Sequence, residues 1–133
     1  MVTLKLFCIA LGTFLVLDAI WLLGIAKNIY AKAIGQLMLE KVNSIAAGGA
    51  YLLLVIALLY FVIVPGLSAG HGVFSIALSG ALLGFIVYGV YDMTNLATLK
   101  GWSLSISLID MAWGTFVSGV VAGITTYLSR VIG

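Results

Sequence analysis

Residues 44–64 read SIAAGGAYLLLVIALLYFVIV, a run from Ser44 to Val64 without a single charged side chain. A helix rising about 1.5 Å per residue needs roughly 20 such residues to cross a hydrocarbon core about 30 Å thick. Lipid offers the backbone no hydrogen-bonding partner, so a run this long must be helical. Barrel strands are about half that length and alternate in polarity. Three further runs are as long and predominantly apolar: Leu4 to Ala26, Val73 to Thr98 and Ser103 to Tyr127. The fold class is therefore all-α, a polytopic membrane protein whose four transmembrane helices form a compact bundle.

Composition points the same way. Of 133 residues, 64% are hydrophobic and only 8% charged, and mean hydropathy is +1.30, far above that of soluble domains. One proline and no polar tract leave no linker, so residues 1–133 read as a single integral membrane domain. A net charge of +2 from scattered basic residues excludes the clustered footprint of nucleic-acid binding. Cys8 stands alone, which excludes a disulfide framework or thiolate zinc site, and the single His71 lies in a glycine-rich loop, which argues against haem. No cofactor is evident, although a bound cation is possible. The first run resembles a signal peptide in having Lys5 before an apolar stretch. It is too long, contains Asp18 and lacks a small-residue cleavage site, so we expect it to be retained.

The connections differ in chemistry. Between spans one and two, Ile29, Tyr30, Ala33, Ile34, Leu37, Met38 and Val42 recur at helical spacing, with Lys32, Gln36, Glu40 and Lys41 opposite. This pattern predicts an amphipathic helix over about 29–42, lying in the membrane interface. The second connection, 65–72, carries no formal charge, and the third is little more than Leu99 to Trp102. Lys27, Lys32, Lys41 and Lys100 lie on the side of connections one and three, against Lys5 and Arg130 on the other. That bias places connections one and three in the cytoplasm and the termini outside. Trp102, Tyr30 and Tyr127 sit near span ends, as interfacial aromatic residues do.

Asp18, Asp92 and Asp110 stand within apolar spans with no lysine or arginine beside them. Counted to the lysines at the boundary, they lie nine (27 − 18), eight (100 − 92) and ten (110 − 100) residues away. At about 1.5 Å per residue, all three fall roughly 12 to 15 Å from one face, in a common layer near the membrane middle. Residues three apart share a helix face, which pairs Asp18 with Trp21, Asp92 with Asn95 and Asp110 with Trp113. Antiparallel packing of the first and last spans would let Trp113 donate to Asp18 and Trp21 to Asp110. Tyr88, Tyr91 and Thr94 add hydrogen-bonding groups on the third span.

Burial penalises charge on such acids, and insertion of an ionised aspartate at a helix centre costs about 2.5 to 3.5 kcal/mol. They should be protonated or hold a cation. The candidate ligand or proton site therefore comprises Asp18, Asp92, Asp110, Trp21, Asn95, Trp113, Tyr88, Tyr91 and Thr94, with the three aspartates as candidate metal ligands. The bland alternative makes them neutral pins that set helix register. Gly80, Gly84, Gly114, Ser118, Gly119 and Gly123 fall at four-residue spacing and allow close helix approach, within the bundle or towards a second copy or membrane partner. The lipid bilayer is the partner in every case.

The stretches Leu17-Asp18-Ala19-Ile20-Trp21, Tyr88 to Trp102 and Ile109-Asp110-Met111-Ala112-Trp113-Gly114 resemble the bacterial membrane family known as domain of unknown function 2177. The resemblance spans nearly the whole chain, and its specific part runs from Tyr91 to Trp113. It implies a bacterial inner-membrane location and four helices, and no reaction. Three classes of function follow from the residues. The first is a small transporter or binding bundle whose aspartate layer takes a proton, metal ion or organic cation. The second is a membrane-embedded enzyme acting on lipid with an aspartate as general acid or base, disfavoured because no nucleophile–base pair, metal motif or phosphate loop is present. The third is a structural or accessory subunit of a membrane complex.

Overall fold

The computed structural model describes residues 2–38 and 43–133, and those residues form helices with no strand among them. Four helices are long and apolar enough to cross a membrane: Thr3–Ile25, Ser44–Ser68, Val73–Thr98 and Leu104–Ile132. Within them, α1 (Val2–Ile20) ends in a π turn over Trp21–Ile25. α2 (Lys27–Ile34) follows, and α3 (Ser44–Leu58) passes through a second π turn, Leu59–Ile63, into α4 (Val64–Ser68). The last two helices are α5 (Val73–Thr98) and α6 (Leu104–Ile132).

Two spans outrun their expected ends for identifiable reasons. The second continues beyond Val64 through Pro65, although proline lacks an N–H and its ring crowds the carbonyl four residues back. The wider π turn immediately before it, Leu59–Ile63, absorbs that misfit. The fourth runs past Tyr127 to Ile132, ending with Arg130 in its last turn, where a cation complements the helix dipole. Asn43 and Ser103 cap α3 and α6 by accepting from the N–H groups of Ala46 and Ile106.

The interfacial helix is shorter than the periodicity over 29–42 predicts. α2 stops at Ile34, whose φ of −136° and ψ of 19° leave the helical region, and a single 3₁₀ turn, Gly35–Leu37, leads to extended Met38. Gly35 itself keeps helical angles, φ −51° and ψ −39°, so the chain departs from the helix at Ile34. Glu40, Lys41 and Val42 lie outside the described residues. Within α2, Tyr30, Ala33 and Ile34 turn inward while Lys27 and Lys32 are exposed.

α5 and α6 form the most extensive contact, and α1 packs against both α6 and α3. The small residues mediate the first of these within the chain. A Cβ on Gly80 would meet that of Ala122 at 2.6 Å, one on Gly84 would meet the Gly114 carbonyl, and one on Gly114 would meet the Tyr88 ring. Gly119 and Gly123 face Ala81 and Ala77 in the same way. Close approach at these positions is thus made within the chain. Phe14, Val55, Leu58, Ile63, Val117 and Val121 fill the core, while Leu53, Phe61, Phe74, Val90 and Phe116 point outward. An apolar outer face suits a solvent of acyl chains.

Candidate functional site

The three aspartates sit at matching distances from the helix ends on one side of the bundle. Asp18 is seven residues before Ile25 (25 − 18), Asp92 six before Thr98 (98 − 92) and Asp110 six after Leu104 (110 − 104). At about 1.5 Å per residue these are depths of roughly 9 to 10 Å. The opposite helix ends are much farther off, so the layer is displaced from the helix midpoints towards the side of connections one and three.

Asp18 is buried and takes hydrogen bonds from two helices. The Trp113 indole on α6 donates to Oδ1 at 2.9 Å, and the Tyr51 hydroxyl on α3 donates to the other oxygen. Phe14, one turn before Asp18, packs edge-on against Tyr51 at 5.3 Å and 80°. The expected donation from Trp113 is present.

Asp110 is reached differently from expectation. Trp21 does not hydrogen bond to it directly; the indole N–H donates to the Tyr30 hydroxyl at 3.3 Å, and that hydroxyl donates to Asp110 Oδ1 at 2.8 Å. The relay exists because the π turn, closed by the Ala26 N–H on the Trp21 carbonyl, leads α1 into α2, whose Tyr30 turns inward. Burial, followed by the charge of Asp110, pushes the Tyr30 phenol above its usual range, which keeps it protonated and able to donate. The Trp21 and Trp113 rings stack at 4.6 Å and 5°, joining the two arrangements.

Asp92 is fully buried, and among the described residues neither of its oxygens meets a donor. Gly80 meets Ala122 and Gly84 meets Ser118 across the α5–α6 contact, and eight residues further along the same antiparallel register Asp110 stands opposite Asp92. Two carboxylate oxygens cannot hydrogen bond without a proton between them. The acids therefore divide into an Asp92–Asp110 pair and a separately held Asp18. Among the described residues, no three of histidine, cysteine, aspartate and glutamate group closely enough to hold a metal ion, so the three candidate metal ligands do not assemble as one set.

A cavity of about 290 Å³ opens between α1, α3 and α5, walled by Phe14, Tyr51, Tyr88 and Tyr91 with the Asp110 carboxylate in its lining. A second, of about 180 Å³ and lined by Tyr30, Ile34, Met38, Tyr91, Trp102 and Asp110, lies beneath α2. Asp110 and Tyr91 belong to both. A larger groove between α1 and α3 is lined by Leu4, Phe7, Ile56, Leu59 and Tyr60 among others, without a charged group, and suits an acyl chain.

Of the other candidate residues, Tyr88 is half-buried over Gly114, and Tyr91 packs edge-on against Trp102 at 5.9 Å. Thr94 is exposed; its carbonyl accepts from the Thr98 hydroxyl, and neither Thr94 nor half-buried Asn95 bonds to an acid among the described residues. Sequence reasoning missed Tyr51 and Phe14, and it treated Tyr30 as an interfacial residue. A signal for Tyr51 existed: it is seven residues after Ser44 (51 − 44), the depth of the aspartates, in an otherwise apolar run. Phe14 precedes Asp18 by four residues and so shares its face.

Four apolar spans around a buried cluster of acids and aromatic donors define an integral membrane helical bundle. The chain belongs to the family described as predicted membrane protein, DUF2177, whose model matches residues 3–127. No curated protein and no solved structure matches it.

Proposed function

We propose that this protein is a small bacterial inner-membrane binding bundle or transporter whose ligand is an organic cation, held in the 290 Å³ cavity against Asp110. One observation carries this reading: a carboxylate shares a cavity with the rings of Phe14, Tyr51, Tyr88 and Tyr91. Aromatic faces attract cations by about 0.5 to 2 kcal/mol each, most strongly where water is excluded. A carboxylate supplies the compensating charge that a cation needs in a low-dielectric site. The volume suits a quaternary ammonium ion rather than a drug-sized molecule. Connections one and three are taken as cytoplasmic, because most of the basic residues lie there.

The test is calorimetric binding of tetraethylammonium to the protein in lipid nanodiscs. Saturable binding that disappears in Asp110→Asn and persists in Gly12→Ala, a position with open space around it, is the expected result. Equal binding by wild type and Asp110→Asn would rule the reading out. For orientation, His71→Cys in a Cys8→Ala background should react with an impermeant maleimide from the periplasmic side.

A further inference from the structure

Asp92 poses a problem that the cation site does not solve. It is fully buried on α5, and among the described residues neither carboxyl oxygen has a donor. A carboxylate left in that state would carry the full cost of desolvation. Among the described residues, Asp110 stands opposite it on α6, Tyr30 reaches the Asp110 carboxyl group from α2, and Tyr91 precedes it on its own helix. None is a base. Lys5 and Arg130, the basic residues within spans one and four, lie near the opposite helix ends. The Tyr30 hydroxyl is already committed to Asp110. A proton is the smallest change that satisfies the site, since it turns two facing acceptors into a hydrogen-bonded donor and acceptor.

We infer that Asp92 and Asp110 share one proton when the cavity is empty, and that an organic cation entering against Asp110 displaces it. This rests on the cation reading above and assigns that site its coupling. In the step, one carboxylic O–H bond breaks, the proton passes to water, and the cation takes over as the counter-charge. One positive charge enters and one leaves, so the net charge of the layer does not change. That balance gives the exchange its physical sense, because a layer remote from bulk water is costly to leave with two uncompensated carboxylates. Asp110 is placed to change occupants because it lines both cavities. Asp92, behind it and sealed from both, stays in place as the other half of the pair. Asp18 is not part of the exchange, since Trp113 and Tyr51 already satisfy it.

Infrared difference spectroscopy and proton release on the intact protein in nanodiscs test this, with tetraethylammonium as the probe. At neutral pH the wild type should show a carboxylic acid C=O band that shifts in D₂O and disappears on adding the probe. A pH indicator in weak buffer should register a proton released for each cation bound. Apparent affinity should weaken as pH falls, by up to about tenfold per pH unit, as exchange against a single proton requires. Asp92→Asn should lose the band and flatten this pH dependence while still binding. The wild-type measurements stand alone if that variant does not fold. Binding without proton release, a wild type lacking the band, or an Asp92→Asn variant retaining the wild-type slope would overturn the exchange and leave the cation site intact. Failure of the wild type to bind the probe at any pH would overturn the cation reading, and the exchange with it.

Discussion

The Trp113 indole lies 2.9 Å from Asp18 Oδ1, so a residue near the start of the last span and one near the end of the first are held together across the bundle. Tyr51 occupies the other oxygen, and three helices meet on one carboxyl group.

Loss of one donor at that junction should be felt throughout the bundle. We expect Trp113→Phe or Tyr51→Phe to destabilise the protein by about 1 to 2 kcal/mol, the range for interhelical hydrogen bonds in membranes and for a buried acceptor left short of a donor. Unfolding of each variant in mixed detergent micelles provides the measurement. Asp18→Leu in the Trp113→Phe background should cost less than the sum of the two single changes, because both partners are then apolar.

Tyr30 ties α2 to the bundle through Asp110 and Trp21. Tyr30→Phe removes the hydroxyl on which both bonds depend. Amide exchange within Lys27–Ile34 should accelerate, while the four spans retain their protection. Unchanged exchange in α2 would mean that its apolar contacts alone hold it down.

The same phenol predicts a pH effect. Burial and Asp110 raise its pKa above the ordinary 10.0, so the neutral form is the one the fold favours. This contribution is complete below pH 10, where the unfolded phenol is also protonated. It is lost as pH rises through the folded-state value. Stability of the wild type relative to Tyr30→Phe should therefore be constant across neutral pH and fall only in strong alkali. Ultraviolet phenolate titration should show one late-titrating tyrosine missing from the variant.

Glycines on the contact between α5 and α6 should separate sharply from those elsewhere. Gly84→Val places side-chain atoms where the Gly114 carbonyl and Ser118 already lie, forcing the backbones apart at a cost of about 1 to 3 kcal/mol or more. Gly12→Ala meets open space and should be neutral or slightly stabilising, given the helix preference of about 1 kcal/mol for alanine. Folded yield after detergent extraction compares the two.

The structure differs from a reading of the sequence in ways that follow from what each can carry. Asp18 and Trp113 were legible as partners because both obey short-range rules: hydrophobic length locates the helix, residue count sets the depth and a three-residue offset sets the face. Tyr30 was legible only as an amphipathic position, since its aim at Asp110 depends on how a π turn after Trp21 redirects the chain. The continuation of α3 into α4 past Pro65 likewise depends on a local widening that no hydropathy pattern records.

By itself the sequence determined four membrane spans, one acidic layer and the membership of Asp18, Asp92 and Asp110 in it. Lipid leaves the backbone little choice, and a rise of 1.5 Å per residue converts position into depth. Only the tertiary structure decided how the layer is divided, the α5–α6 register setting Asp92 opposite Asp110 while Trp113 and Tyr51 hold Asp18. Depth is a one-dimensional property that counting can reach. Which side chains meet at that depth depends on the rotation and lateral order of the helices, and those are set by contacts such as Gly84 against Gly114 between residues far apart in the chain.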